Sequence, residues 1–72
     1  MPHDQVSNRV REKRNNLGLT QDQLAKLVGI SRVSIVAIET GRFQPTIETA
    51  LRLSQALETG LDDLFQLRGE KK

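Results

Sequence analysis

The stretch TQDQLAKLVGISRVSIVAIETG, residues 20–41, decides the fold of this 72-residue chain. It contains two short segments with helical periodicity. Thr20 begins the first segment as an N-cap, with Gln23 three positions later, the pattern of a capping box. Gly29 permits a sharp turn, and Ser31 caps the second segment. The sequence therefore predicts two short helices joined by a tight turn.

The second segment is rich in β-branched residues, which taken alone are typical of a buried strand. The cap at Ser31 and the stop at Gly41 favour a helix over about residues 32–40. A helical wheel places Ile35, Ile38 and Glu39 on one side. The opposite side carries Arg32, Val33, Val36 and Ala37. We expect the isoleucines to face the core and the opposite side to be exposed.

The rest of the chain extends this pattern to an all-α fold, a compact bundle of five short helices. The other helices are predicted at Val6–Leu17, from the cap Thr46 to Leu57, and at Leu61–Phe65. The domain then spans residues 6–66, between a disordered segment at 1–5 and a charged tail at 67–72. Two inward stripes are predicted, at Val6, Val10, Arg14 and Leu17, and at Ile47, Ala50, Leu53, Ser54 and Leu57.

Several classes of function find no support in the composition. The chain has no cysteine and one histidine, His3, so a metal site and nucleophilic catalysis are both unsupported. Asp62 and Asp63 fit the first turn of a helix better than a catalytic pair. No glycine-rich phosphate loop, signal peptide or membrane-length apolar run is present. We expect a cytoplasmic protein that is not an enzyme and has no cofactor or small-molecule ligand.

The basic residues are concentrated in one part of the chain. Residues 6–44 contain seven Lys and Arg against three Asp and Glu, whereas residues 45–72 contain four against five. Such an asymmetry favours a polyanionic partner on one side of the domain, although a solvated charged surface is an equally simple explanation for counts this small.

Two helices joined by a tight turn form the pattern of a helix-turn-helix, whose second helix can enter the major groove of DNA. The run R-V-x-x-K-R-x-x-L-G-L-x-Q-x-x-L-A-x-x-V-G, residues 9–29, resembles the DNA-binding domains of lambdoid phage repressors and Cro proteins. The later runs S-I-x-x-I-E-x-G, T-A-L-R-L-S-Q-A-L and L-D-D-L-F resemble small XRE-type bacterial regulators. The resemblance covers about residues 6–65 and implies a lambda repressor-like DNA-binding domain.

The resemblance also implies roles for individual residues. The helix at about 32–40 becomes the recognition helix, and its base-reading positions are Arg32, Val33 and Ala37. The positions for contacts with DNA phosphates are Thr20, Gln21, Ser31, Thr40 and Arg42, and Gln21 can also brace the recognition helix. Arg14 and Glu39 match a pair of residues that form a largely buried structural ion pair.

The chemistry of the base-reading residues differs. Arg32 can donate two parallel hydrogen bonds to guanine O6 and N7. Val33 and Ala37 depart from the Gln, Asn or Arg that the family often carries there, and can only pack against thymine methyl groups or sugars. We expect readout to depend on Arg32, methyl contacts and DNA shape. Arg11 and Lys13 are expected on the solvated side of the first helix.

These observations predict a sequence-specific transcriptional regulator, most simply a repressor that binds a palindromic operator in double-stranded DNA as a homodimer. Leu61, Leu64, Phe65 and Leu67 are candidates for the dimer surface, or else Leu64 and Phe65 simply close the core. The alternatives are an antitoxin with a toxin partner, a restriction–modification controller, the DNA-binding domain of a longer regulator, and a protein-interaction module that has lost DNA binding. A contact with RNA polymerase is a further possible partnership.

Overall fold

The computed structural model describes residues 6–67 and contains five helices and one two-stranded antiparallel ribbon. The helices are α1 (Val10–Asn16), α2 (Gln21–Val28), α3 (Arg32–Glu39), α4 (Ile47–Ala56) and α5 (Leu61–Leu64). The strands are β1 (Val6–Asn8) and β2 (Phe65–Leu67). The predicted bundle of five short helices is confirmed, and the ribbon is an addition to it. The predictions for residues 1–5 and 68–72 lie outside the described residues.

The helices of the central motif begin where the sequence predicts. Thr20 Oγ1 accepts a hydrogen bond from the Gln23 N–H at 3.0 Å, and Gln23 Oε1 accepts one from the Thr20 N–H at 2.8 Å, which completes the capping box. Ser31 and Thr46 each cap the next helix by accepting a bond from the N–H three residues later. Gly29 has a φ of 88°, which explains the glycine at the sharp turn after α2.

The first helix begins at Val10, so the prediction that it begins at Val6 is wrong. Val6–Asn8 instead pairs with Phe65–Leu67, and Val6 lies opposite Leu67. The spacing of the two valines fits a helix locally, but pairing with a distant segment satisfies the backbone groups of residues 6–8 and decides their conformation. Leu67, predicted to begin a charged tail, belongs to β2.

The core lies where the helices meet and contains both isoleucines of α3. Its buried residues are Val10, Leu24, Ala25, Val28, Ile35, Ile38, Leu53, Leu57 and Leu64. The prediction that α3 turns Ile35 and Ile38 inward is therefore confirmed. Phe65 packs against this core after α5 has ended, so both Leu64 and Phe65 serve to close it.

Two residues predicted to point inward are exposed. Ile47 is 74% exposed because it is the first residue of α4, and the buried stripe of that helix begins one turn later at Ala50. Leu17 is 43% exposed because α1 ends at Asn16 and the chain turns away there. None of the helices within residues 6–67 is long and apolar enough to cross a membrane.

Candidate nucleic-acid interface

The first half of α3 presents side chains to solvent. Arg32 is exposed, and Val33 is 72% exposed although it is apolar. Val36 and Ala37 are half-buried, while Ile35 and Ile38 are fully buried on the opposite side. The buried side of α3, with Ile35 and Ile38, therefore packs against the core and forms its rear face. Arg32 and Val33 project from the surface, and Ala37 lies one turn after Val33.

The hydroxyl groups predicted to contact phosphate lie at the ends of α2 and α3, and their hydrogen-bonding states differ. Thr20 Oγ1 serves as an acceptor within the capping box, which leaves its own proton free to donate outward. Ser31 Oγ donates to Ser34 Oγ at 3.0 Å, and Thr40 Oγ1 donates to the Val36 carbonyl oxygen at 3.0 Å. Thr20 is thus the hydroxyl best prepared to donate to an anion at the start of α2.

An ion pair joins α1 to the end of α3. Arg14 Nε lies 2.7 Å from Glu39 Oε2, and Arg14 Nη2 donates to Glu39 Oε1 at 3.3 Å. The Glu39 side chain is fully inaccessible to solvent, and that of Arg14 is 11% exposed. Arg14 Nη1 also donates to the carbonyl oxygen of Leu19 at 2.8 Å, so the guanidinium holds α1, the loop before α2 and the end of α3 together.

Two further side chains reach the same carboxylate. Gln21 Nε2 donates to Glu39 Oε1 at 3.1 Å, which ties the first residue of α2 to the last residue of α3. Arg11 Nε lies 3.6 Å from the same oxygen, while its side chain stays largely exposed. The sequence placed Arg11 on a solvated face and did not predict this proximity. Its spacing of three residues from Arg14, which puts both on one side of α1, was the available signal.

The surroundings of Glu39 have opposing effects on its pKa. Burial of the carboxylate raises the pKa, since it disfavours the charged form. Hydrogen bonds from Arg14 and Gln21, with the charges of Arg14 and Arg11, lower it. The lowering effects win, so the pKa of Glu39 lies below its usual value of 4.5 and the group is a carboxylate at neutral pH. The buried charge is thus compensated by its neighbours.

Arg42 lies in the loop that follows α3 and is exposed. Its backbone N–H donates to the Ala37 carbonyl oxygen at 2.9 Å, and the preceding Gly41 has a φ of 79°. Among residues 6–67, neither Arg42 nor Arg32 has a carboxylate within 4.0 Å. Both guanidinium groups are therefore available for an anionic or hydrogen-bonding partner.

The matched family confirms the class of protein that this geometry indicates. Residues 10–64, from the start of α1 to the end of α5, match the model of the HTH_3 helix-turn-helix family. The chain belongs to the HTH_3 helix-turn-helix family. The resemblance to lambdoid repressor domains and XRE-type regulators is thereby confirmed.

Similar proteins agree with this family. An uncharacterized HTH-type transcriptional regulator from Methanothermobacter thermautotrophicus is 44% identical over 59 residues, which cover 81% of this chain and 86% of the relative. The c2 repressor of Salmonella phage P22, solved in complex with a synthetic operator, has a TM-score of 0.76 and 39% identity, covering 86% of this chain and 91% of the repressor chain. The restriction–modification controller C.AhdI from Aeromonas hydrophila has a TM-score of 0.72 and 33% identity, covering 76% and 83%.

Family membership places this chain among helix-turn-helix transcriptional regulators and not among enzymes. The two helices joined by a tight turn, α2 and α3, form the helix-turn-helix motif of this family.

Proposed function

We propose that the chain represses transcription by binding a palindromic operator in double-stranded DNA as a dimer, with α3 in the major groove. The observation that carries this proposal is the division of α3 into a buried rear face and an exposed start with Arg32 and Val33. A short helix fixed from behind and exposed at its N-terminal end can present those side chains to base edges.

The base contacts are assigned by the chemistry of each side chain. Arg32 reads guanine through two parallel hydrogen bonds, a pairing that discriminates against other bases by about 1–3 kcal/mol. Val33, which is apolar and 72% exposed, packs against a thymine methyl group. Ala37 lies one helical turn after Val33 and is half-buried, so its contact is with a methyl group or sugar that approaches α3 closely.

The phosphate contacts frame the recognition helix. Thr20 and Gln21 lie at the start of α2, where free N–H groups and the helix dipole favour an anion. Ser31 precedes α3, while Thr40 and Arg42 follow it, so the proposed contacts flank the groove-reading surface on both sides. Gln21 has a second role, since its amide also donates to Glu39 and thereby braces α3. These contacts supply affinity and register without reading sequence.

The dimer is proposed to form through α5 and the adjoining strand β2. Leu64 and Phe65 are used by the core, but Leu61 at the start of α5 is 36% exposed and Leu67 in β2 is 65% exposed. A two-fold dimer through this surface would place two copies of α3 about 34–36 Å apart, one turn of DNA. Binding then blocks polymerase by occupying the operator, and the protein acts in the compartment that holds the DNA, which in a bacterium is the cytoplasm.

Selection of the purified protein on a randomised pool of duplex DNA, followed by sequencing, tests the proposal. We expect enrichment of an inverted repeat whose half-sites lie about one helical turn apart. Affinity for the enriched duplex should fall steeply with salt, because binding releases counterions from the phosphates. A pool that shows no enriched sequence at low salt would contradict sequence-specific binding. An enriched single half-site would contradict only the dimer.

A restriction–modification controller is the second candidate. It is favoured by the similarity to C.AhdI, 83% of whose chain is covered at 33% identity. The two candidates share the fold and the DNA-reading surface and differ in the genes they regulate. The location of the enriched sequence separates them: upstream of restriction and methylation genes it supports a controller. The similar proteins give no support to a toxin or polymerase partner, and neither belongs to the proposal.

A further inference from the structure

Asn8 connects three parts of the fold through one side chain. Its Oδ1 accepts a hydrogen bond from the Val10 N–H at 3.0 Å, which satisfies the free N–H of the first residue of α1. Its Nδ2 donates to the carbonyl oxygen of Ile38 at 2.9 Å, thirty residues away in the last turn of α3. The backbone of Asn8 belongs to β1, where the residue lies opposite Phe65 of β2.

The bond to Ile38 holds a part of α3 that its own helix leaves open. The last four carbonyl groups of an α-helix have no N–H partner within the regular helix. The Ile38 carbonyl oxygen accepts from the Gly41 N–H at 3.1 Å and has a second lone pair, which Asn8 uses. The side chain of the next residue, Glu39, is held by Arg14 and Gln21. The C-terminal end of α3 is thus fixed through both its backbone and its last side chain.

The residue that follows β1 is connected to α5. The Arg9 N–H donates to the carbonyl oxygen of Leu64, the last residue of α5, at 2.9 Å. Together with the pairing of Asn8 and Phe65, this bond ties β1 to α5 and β2, which carry the proposed dimer surface. Asn8 therefore lies on a short hydrogen-bonded route from that surface to the end of α3.

We propose that Asn8 is a positioning residue for DNA recognition, fixing the end of α3 relative to the β1–β2 ribbon and α5. This inference rests on the proposed function, because it concerns how α3 is presented to DNA. Asn8 does not need to contact DNA. Its effect is to pre-organise the helix that does, which lowers the cost of placing Arg32 and Val33 against the bases.

Two variants separate the hydrogen bond from Asn8 to α3 from its hydrogen bond to the start of α1. Asn8→Ser retains an oxygen that can accept from the Val10 N–H, but its side chain is too short to reach the Ile38 carbonyl. Asn8→Asp has the size of asparagine and retains the acceptor for Val10, yet as a carboxylate it has no donor for Ile38. Thr46→Ala is the matched control, since it removes the cap of α4. Within residues 6–67, the Thr46 side chain bonds only to Thr49.

The first measurement is independent of DNA and uses amide hydrogen exchange of the folded proteins. We expect faster exchange in Asn8→Ser and Asn8→Asp at Thr40, Gly41 and Arg42, whose N–H groups bond to the last turn of α3. The α2 amides should exchange as in the parent. Thr46→Ala should change α4 and leave these three amides unaltered. Unchanged exchange at all three in both Asn8 variants would overturn the proposal.

The second measurement compares the dissociation constants for the duplex enriched by the parent and for a scrambled duplex of equal length. At a temperature where all variants are folded, we expect Asn8→Ser to bind the enriched duplex about tenfold more weakly and the scrambled duplex unchanged. The added charge of Asn8→Asp affects binding to both duplexes, so this variant is judged by the ratio of the scrambled-duplex constant to the enriched-duplex constant. We expect this ratio to fall in Asn8→Asp as in Asn8→Ser. Thr46→Ala should keep the parental ratio.

The outcomes separate this inference from the function on which it rests. If both Asn8 variants keep the parent's ratio of scrambled to enriched dissociation constants, despite faster exchange in α3, Asn8 has only a structural role. That result would overturn the proposal. A parent that does not distinguish the selected duplex from the scrambled one would overturn the proposed function, and with it the recognition role of Asn8. The exchange data would then still report whether Asn8 holds α3.

Discussion

Arg14 and Glu39 meet in a paired hydrogen bond, with 2.7 Å between Arg14 Nε and Glu39 Oε2 and 3.3 Å between Nη2 and Oε1. The pair joins α1 to the last residue of α3, and Gln21 adds a bond from α2 to the same carboxylate. Three helices, α1, α2 and α3, thus meet at one buried charge. Loosening Glu39 would loosen the end of α3, so under the proposed function stability and DNA recognition are coupled at this point.

Replacement of Arg14 tests how much this ion pair contributes to the free energy of unfolding. Arg14→Met leaves the Glu39 carboxylate inaccessible to solvent without its main partner, and removing one member of a buried pair costs about 3–5 kcal/mol. We expect the free energy of unfolding, measured by urea denaturation at neutral pH, to fall by about this amount. Lys13→Met on the same helix is the control and should change it by about 0.5 kcal/mol or less. Equal losses in the two variants would contradict the role of the pair.

The lowered pKa of Glu39 gives a second prediction. Above its usual pKa of 4.5 the group is charged in the folded and unfolded states, and its contribution to stability is complete. As the pH falls, the unfolded chain binds the proton first, so the contribution is lost as the pH passes through the lower folded-state pKa. We expect the stability difference between the parent and Glu39→Gln to be constant above about pH 6 and to shrink in acid. Urea titrations from about pH 7 to pH 3 measure it, and a pH-independent difference would contradict the lowered pKa.

The parts of the fold that were predictable from sequence are those with local signals. Thr20, Ser31 and Thr46 mark helix starts because each hydroxyl bonds to a backbone N–H three residues later, within the reach of a short motif. Ile35 and Ile38 share a face by helical geometry alone, which identified the core side of α3 despite its β-branched composition.

The parts that were not predictable depend on contacts between distant segments. Val6–Asn8 has an acceptable helical pattern, and only its pairing with Phe65–Leu67 makes it a strand. No local pattern reports that pairing, since it requires knowing where the two ends of the domain meet. Asn8 was missed for the same reason, because its hydrogen bond with the Val10 N–H can be recognised only when the helix is known to start at Val10.

The proposed dimer surface is tested at Leu67, which is 65% exposed. Leu67→Lys places a charge in that surface, so we expect the dimer dissociation constant from sedimentation equilibrium to rise about tenfold or more. Binding to the full inverted repeat should weaken, while binding to an isolated half-site should not. Leu27→Lys is the matched control, since Leu27 is 61% exposed on α2 and the charge change is the same. An equal effect of both variants would argue against this surface.

Arg42 is predicted to contribute affinity without specificity. Arg42→Ala removes an exposed guanidinium that is proposed to contact phosphate, so binding to every duplex should weaken by a similar factor. The slope of log affinity against log salt should decrease by about one, because one fewer phosphate is neutralised. Lys26→Ala removes the same charge from the exposed side of α2, where Lys26 pairs with Asp22, and serves as the control. If the slope of log affinity against log salt changes equally in both variants, the loss of net charge explains the effect, and a specific phosphate contact of Arg42 is contradicted.

Arg32 is predicted to do the opposite and carry specificity at one base pair. Its exposed side chain begins α3, has no carboxylate within 4.0 Å among residues 6–67, and is the only base-reading candidate with hydrogen-bond donors. Val33 and Ala37 can pack against a thymine methyl group but cannot donate a hydrogen bond to guanine. Neither residue can therefore replace Arg32 in recognising guanine.

We therefore expect Arg32→Ala, selected on the same randomised pool as the parent, to lose its preference for guanine at one position of each half-site. Discrimination at that position should fall by about 1–3 kcal/mol, with preferences at the other positions retained. Arg42→Ala in the same selection should enrich the parental sequence at lower yield. This comparison separates base specificity from overall affinity. If Arg32→Ala enriches the same sequence as the parent with equal discrimination, base recognition must lie elsewhere on the exposed face, with Val33 the next residue to replace.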